Sequence, residues 1–160
     1  MNNKFQKKHL MKAFDLAISS KNNGEIPVGV IIVKNETIIA SATNCIEKSN
    51  NALKHAEIIA LEEAQRITKN RFLNGCDLYV TLEPCIMCLG AILLSRIDNL
   101  YFSSFDERFG FFSTTQNLNV IKRLNSKFCF YGGLYKYAGE TLIKSFFHEL
   151  RQKKSVKDES

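Results

Sequence analysis

The sequence predicts an α/β fold, a mixed sheet of five strands covered by helices on both faces. Three observations predict it. Segments rich in β-branched residues alternate with segments whose apolar residues recur at helical spacing. The first two strands are joined by a short turn, Lys34-Asn35-Glu36, which makes that pair antiparallel and the whole sheet mixed. No internal repeat, low-complexity tract or Pro/Gly-rich linker divides the chain, and 160 residues suit one compact domain with a real core.

The first helix comes from Leu10, Met11, Phe14, Ala17 and Ile18, which lie at helical spacing, and Asn22-Asn23-Gly24 supplies a stop. Val28 to Val33 is β-branched and nearly all apolar, as expected of a strand covered on both faces. After the turn comes a second strand, Thr37 to Thr43, and then a polar loop from Ile46 to Asn51. His55 opens a helix carrying Ile58, Ile59, Leu61 and Ala64. Asp77 to Leu82 is a third strand. Proline suits a first helical turn, so Pro84 is expected to start the helix holding Cys85, Cys88 and Ala91 to Leu94. Leu100 to Ser103 reads as a fourth strand, Asp106 to Thr115 as a Phe-rich loop, and Leu118 to Leu124 as a short helix. Phe128 to Tyr131 makes a fifth strand before Gly132-Gly133. A last helix runs from about Leu134 to Arg151. Residues 1–152 thus form one domain, and 153–160 a charged tail expected to fray.

Composition excludes some classes. Hydrophobic residues make up 45% and charged residues 24%, the balance of a soluble globular protein. No apolar run approaches the roughly 20 residues of a membrane-spanning helix. The start, Met1 to Lys8, is basic, but Lys12 and Asp15 interrupt the segment after it and no small-residue cleavage site stands out; it reads as the lead-in to the first helix. Five cysteines, an odd number with two of them three apart, argue against a disulfide framework and for a reducing compartment, the cytoplasm by default. The net charge of +6 favours polyanionic partners such as nucleic acid without naming one.

Two short motifs carry chemistry, His55-Ala56-Glu57 and Pro84-Cys85-Ile86-Met87-Cys88. Cysteines three apart on a helix place their sulfurs on one face. In a first turn, free N–H groups and the positive end of the dipole stabilise thiolates. His55 occupies the same place on its own helix. If both helices come after adjacent strands, the two N-termini converge on a single ion. Two sulfurs and an imidazole suit zinc, and three protein ligands leave one position for an acidified water, as in a catalytic site. Glu57, two residues after the histidine, faces that open position as a proton shuttle. The set describes a hydrolysis site. Competing readings of Cys-x-x-Cys are a redox pair or structural zinc, for which Cys76 or Cys45 would be the fourth ligand.

The paired signature is that of zinc deaminases acting on nucleobases. With Glu25-Ile26-Pro27-Val28-Gly29, Asn44, Thr81-Leu82-Glu83-Pro84 and Ser95-Arg96-Ile97 added to it, the chain resembles the bacterial tRNA adenosine deaminases, from the first helix to Phe146-Phe147. The resemblance implies a three-layer α/β/α sandwich of the cytidine deaminase-like kind, and a homodimer with one zinc ion per subunit. It implies conversion of adenosine to inosine at the wobble position of a tRNA anticodon stem-loop. Carried over, His55, Cys85 and Cys88 bind the metal and Glu57 moves the protons. Asn44, with Ala56 and Pro84, contacts the target nucleoside, and Asp106 lies beside the flanking nucleotides. Arg108, Phe146, Phe147 and Arg151 are candidates for RNA contact, with one of the two phenylalanines expected in the core and the other free.

Two segments depart from the family's pattern. Asn51-Ala52-Leu53-Lys54 stands where the family usually has Asp-Pro-Thr-Ala. Glu107 to Phe112 replaces a loop of lysine and small residues, and Phe109, Phe111 and Phe112 are expected there as a lid, a dimer contact or a stacking patch. A deaminase of free guanine or cytosine shares every metal residue with this reading. A silent RNA-binding partner subunit would have no need of Glu57. His9 and His148 read as surface or boundary residues, and Cys45, Cys76 and Cys129 as small apolar fillers near strands.

Overall fold

A computed structural model describes residues 5–114 and 119–158; the basic start up to Lys4, residues 115–118 and the last two residues lie outside it. Five strands form one sheet: β1 (Gly29–Lys34), β2 (Thr37–Thr43), β3 (Cys76–Leu82), β4 (Asn99–Ser104) and β5 (Cys129–Tyr131). Their order is β2-β1-β3-β4-β5. β1 is antiparallel to both neighbours, whereas β3, β4 and β5 run parallel. The mixed sheet is the one predicted. In the β1–β2 turn both Asn35 and Glu36 take positive φ, 48° and 63°, the twist that lets a two-residue loop join right-twisted strands.

Alternation along the strands sends side chains to two cores. Val30, Ile32, Leu78, Val80, Leu100 and Phe102 share one, with Ala60, Leu61 and Ala64 of α3 (Ala56–Thr68) and Leu89, Ile92 and Leu93 of α4 (Ile86–Leu94). Ile31, Val33, Tyr79 and Tyr101 share the other, with Leu10 and Ala13 of α1 (Lys7–Asn22). Each fully buried aliphatic side chain stabilises the fold by roughly 1.5–3 kcal/mol. The last helix, α7 (Lys136–Asp158), also lies against β4. It comes close through Gly139, where a Cβ would meet Ser104 Oγ at 2.7 Å and Ser103 Oγ at 2.9 Å. Helices on both faces of the sheet make three layers. Among the described residues no helix is long and apolar enough to cross a membrane.

Several local expectations are corrected. The segment expected as a polar loop contains a helical turn, α2 (Ile46–Ser49), because the Glu25 carboxylate accepts hydrogen bonds from the backbone N–H groups of Ile46, Glu47 and Lys48 at 2.9–3.2 Å. Pro84 precedes α4 rather than starting it; Cys85 is the cap, and the buried Pro84 gives its carbonyl to Phe111 N–H. The Phe-rich loop ends in a helical turn, α5 (Phe111–Thr114), and the next helix, α6, spans Asn119–Leu124, with Leu118 outside the described residues. α7 begins two residues later than expected and continues through the charged tail to Asp158, where no glycine or proline stops it. His9 is buried, since α1 turns it onto the Tyr79 ring. Cys129 is exposed on the edge strand, whereas Cys76 is buried as expected.

Candidate metal centre and active site

Two helix caps meet at the site. His55 caps α3 and Cys85 caps α4, both in extended backbone conformation, and Cys88 lies one turn into α4. Contrary to expectation, the two helices come after strands that are not adjacent, because β1 lies between β2 and β3. They meet because both cover the same face and touch each other there. His55 Nδ1 lies 3.5 Å from Cys88 Sγ and 3.9 Å from Cys85 Sγ. The three ligand atoms fall within 4.8 Å of one another. Bond lengths of about 2.3 Å to sulfur and 2.0 Å to nitrogen around a tetrahedral zinc require a sulfur–nitrogen separation of about 3.5 Å, so the donors fit that ion. Cys76 and Cys45 are absent from this group among the described residues, which removes the four-ligand structural arrangement.

Charge points the same way. The hydrogen bond from Cys88 lowers the Cys85 thiol to about 4, with His55 helping and burial opposing. The same contact, with burial and the neighbouring Glu57 carboxyl, pushes Cys88 up. His55 is raised, chiefly by its hydrogen bond with Cys85. The two adjacent sulfurs oppose each other's ionisation, and a dication is the partner that lets both ionise. Glu57, buried in the first turn of α3, has its carboxyl pushed up to about 7 by burial, against the pull of its own backbone N–H and of His55.

These groups open onto a cavity of about 990 Å³. His55, Glu57 and Cys85 line it together with Asn44, Asp106 and Arg108. Asn44 is also structural: its Oδ1 accepts from Ala56 N–H at 2.9 Å and its Nδ2 donates to the Ile26 carbonyl at 3.2 Å, tying the end of β2 to the start of α3. Ala56 is fully buried beneath the site. Asp106 Oδ1 accepts from the N–H groups of Arg108 and Phe109, and the Arg108 guanidinium sits 4.8 Å from the Phe109 ring.

The phenylalanines separate by burial. Phe111 is buried, and Phe112 stacks on Phe130 at 4.1 Å and on Phe102 at 5.6 Å, so both fill the core. Phe109 is 60% exposed at the cavity. On α7, Phe146 is 7% exposed and belongs to the interior, whereas Phe147, 38% exposed, lines the cavity with Lys136 and Lys144. Arg151 is exposed one turn beyond Phe147 and does not line the cavity.

Two buried carboxylates escaped sequence reasoning as site residues. Glu25 caps α2, which places Ile46 in the cavity wall. Glu83 lines the cavity itself and binds the loop after β4. Their signal was their place in the strings Glu-x-Pro-Val-Gly and Leu-Glu-Pro-Cys, beside a strand end where a solvated carboxylate has no evident use.

Residues 3–104 match the family described as the cytidine and deoxycytidylate deaminase zinc-binding region. A tRNA-specific adenosine deaminase of Bacillus subtilis (strain 168) is 36% identical over 148 residues, covering 92% of this chain and 92% of its own. One from Rickettsia bellii (strain RML369-C) is 42% identical over 148 residues, covering 88% of this chain and 97% of its own. A solved structure from work on A-to-I editing by tRNA:A34 deaminases at the wobble position of transfer RNA superimposes with a TM-score of 0.78 at 31% identity, covering 85% of this chain and 99% of that one.

Proposed function

This chain belongs to the tRNA-specific adenosine deaminases, within the zinc-binding cytidine and deoxycytidylate deaminase family, and we accordingly propose that it converts adenosine to inosine at the wobble position of a tRNA anticodon. The observation that carries the chemistry is the Glu57 carboxyl in the cavity wall beside His55, Cys85 and Cys88. His55 Nδ1 and the two sulfurs hold one zinc ion per subunit. Bound there, zinc makes two neighbouring thiolates tolerable and lowers the cost of ionising water.

Glu57 takes a proton from water at a carboxyl oxygen and passes it to a ring nitrogen of the purine. The hydroxide left from that water bonds to C6 of the purine. Glu57 then takes the proton of the new C6 hydroxyl and hands it to the amine, and the C6–N bond breaks as C6–O becomes the carbonyl. Adenosine and water leave as inosine and ammonia. The two hydrogen bonds of Asn44 hold the α3 start against the strand, which fixes the position of Glu57 one residue beyond Ala56. A spare N–H on the Asn44 amide contacts the nucleoside; Ala56 and Pro84, expected to touch it as well, are buried outside the cavity lining and act only by holding their neighbours Glu57 and Cys85 in it.

RNA suits the entrance. A wobble base leaves its stack at lower cost in an anticodon loop than in a duplex. Arg108 on the loop and Lys144 on α7 supply phosphate contacts, Phe109 and Phe147 supply stacking faces, Asp106 lies beside the flanking nucleotides, and Arg151 extends the basic surface. Phe146 takes no part, being interior. Dimerisation finds support in α4, which has no charged residue and leaves Ile86 73% and Leu94 64% exposed. The free thiols and the tRNA substrate accord with a cytoplasmic setting.

A synthetic anticodon stem-loop tests the proposal. Inosine should form when adenosine occupies the wobble position and should not form when that adenosine is moved to a neighbouring loop position. A stem-loop left unchanged in both forms would refute the RNA assignment.

A further inference from the structure

Glu83 is buried at 3% exposure, and neither metal binding nor proton transfer makes use of it. Its oxygens instead gather the two ends of one loop. Oε2 accepts from Asp106 N–H at 2.8 Å and from the Ser113 hydroxyl, and Oε1 accepts from Ser113 N–H at 2.7 Å. Between those ends, Gly110 N–H donates to the Asp106 carbonyl at 2.8 Å, Phe111 N–H donates to the Pro84 carbonyl at 3.0 Å, and Gly110 bridges to Cys85. A Cβ on Gly110 would overlap the Glu83 carboxyl group. The loop is therefore wrapped around one side chain, and a glycine at its middle is what permits the approach.

The outward part of the same loop, Asp106 to Phe109, lines the cavity. The metal ligands and Glu57 stand at the starts of α3 and α4, which rest on the sheet, and the loop meets that machinery only through the backbone of Pro84 and Cys85. A change at Glu83 therefore reaches the entrance wall before it reaches the chemistry. We propose that Glu83 is a positioning residue for substrate selection: it holds the Asp106–Ser113 loop in the shape that grips a polynucleotide at the entrance. The inference rests on the assignment of RNA as substrate.

The test uses the full zinc-loaded chain with Glu83→Gln, which puts an amide N–H against the loop's donors, and with Gly110→Ala, which crowds the same contact from the loop side. Each variant should raise KM for the anticodon stem-loop about ten-fold, with kcat within about three-fold and zinc content unchanged. Amide exchange at Asp106 and Ser113 should quicken about ten-fold or more. The double variant should be little worse than either single one, because both break one contact. An unchanged KM in a folded variant, or a loss of zinc or kcat with slow loop exchange, overturns the proposal. Where Glu83→Gln fails to fold, Gly110→Ala decides by the same readouts. A parent chain that makes no inosine refutes the RNA assignment instead, and the exchange rates then still decide whether Glu83 holds the loop.

Discussion

His55 Nδ1 stands 3.5 Å from Cys88 Sγ, between helices that come after strands separated by β1. Neither residue is held by its own strand's neighbour. Their meeting depends on α3 and α4 sharing one face of the sheet, with Ala60 and Ala64 small enough to let α3 settle on β1 and β2. The metal centre is thus a product of the core.

Removing one ligand tests that centre. Cys88→Ala leaves two donors, and the zinc-to-protein ratio should fall from about one to below about a tenth, measured by elemental analysis after dialysis. A ratio that stays near one would mean that the ligand assignment is wrong. A chelator should abolish activity in the parent, and added zinc should restore it.

Glu57→Gln separates metal binding from proton transfer. The amide keeps the shape of the side chain but carries no transferable carboxyl proton. Zinc should be retained while deamination falls about 10³-fold. Full activity with zinc in place would remove Glu57 from the mechanism.

The adjacent pair on α7 should part company. Phe146→Ala empties an interior position and should cost about 3–4 kcal/mol in urea unfolding, with a corresponding loss of thermal stability. Phe147 meets it edge-on, with ring centroids 5.3 Å apart, so Phe147→Ala should cost only about 1 kcal/mol. It should raise KM for the stem-loop about ten-fold, through a lost stacking face. Equal effects of the two variants on stability and on KM would contradict the division.

Much of this was legible in the sequence, and for a physical reason. Metal ligation needs certain side chains at a spacing set by helix geometry, so His55-Ala56-Glu57 and Cys85 to Cys88 announce themselves. The strands do so by β-branched runs such as Val30 to Val33. Glu25 and Glu83 were not legible as loop holders, because their partners, apart from the Ser113 hydroxyl, are backbone N–H groups 21 to 30 residues away, which almost any residue type supplies. The Phe-rich loop misled for a related reason. Whether Phe112 stacks on Phe102 or on a ligand depends on where the loop folds, and Glu83 decides that.

His9 gives a pH test unconnected with the metal. It is buried against Tyr79, ring centroids 5.3 Å apart, with Nε2 unpartnered among the described residues. Burial lowers its pKa from 6.5, Lys8 adds to this, and Asp77 and Glu36 oppose. The unfolded chain therefore binds a proton at a higher pH than the folded one. The contribution to stability is fully present above about 6.5 and is lost as pH falls through the lower folded value. The urea midpoint of the parent should drop more between about pH 7.5 and about pH 5.5 than that of His9→Phe. Parallel drops would show that His9 titrates alike in both states.

The decisive comparison is deamination measured side by side on the wobble-adenosine stem-loop, free adenosine, guanine and cytosine, using zinc-loaded protein. Inosine is expected in the stem-loop, with no turnover of the free compounds. Turnover of a free base with the stem-loop untouched would leave the zinc chemistry standing and contradict the assignment to tRNA.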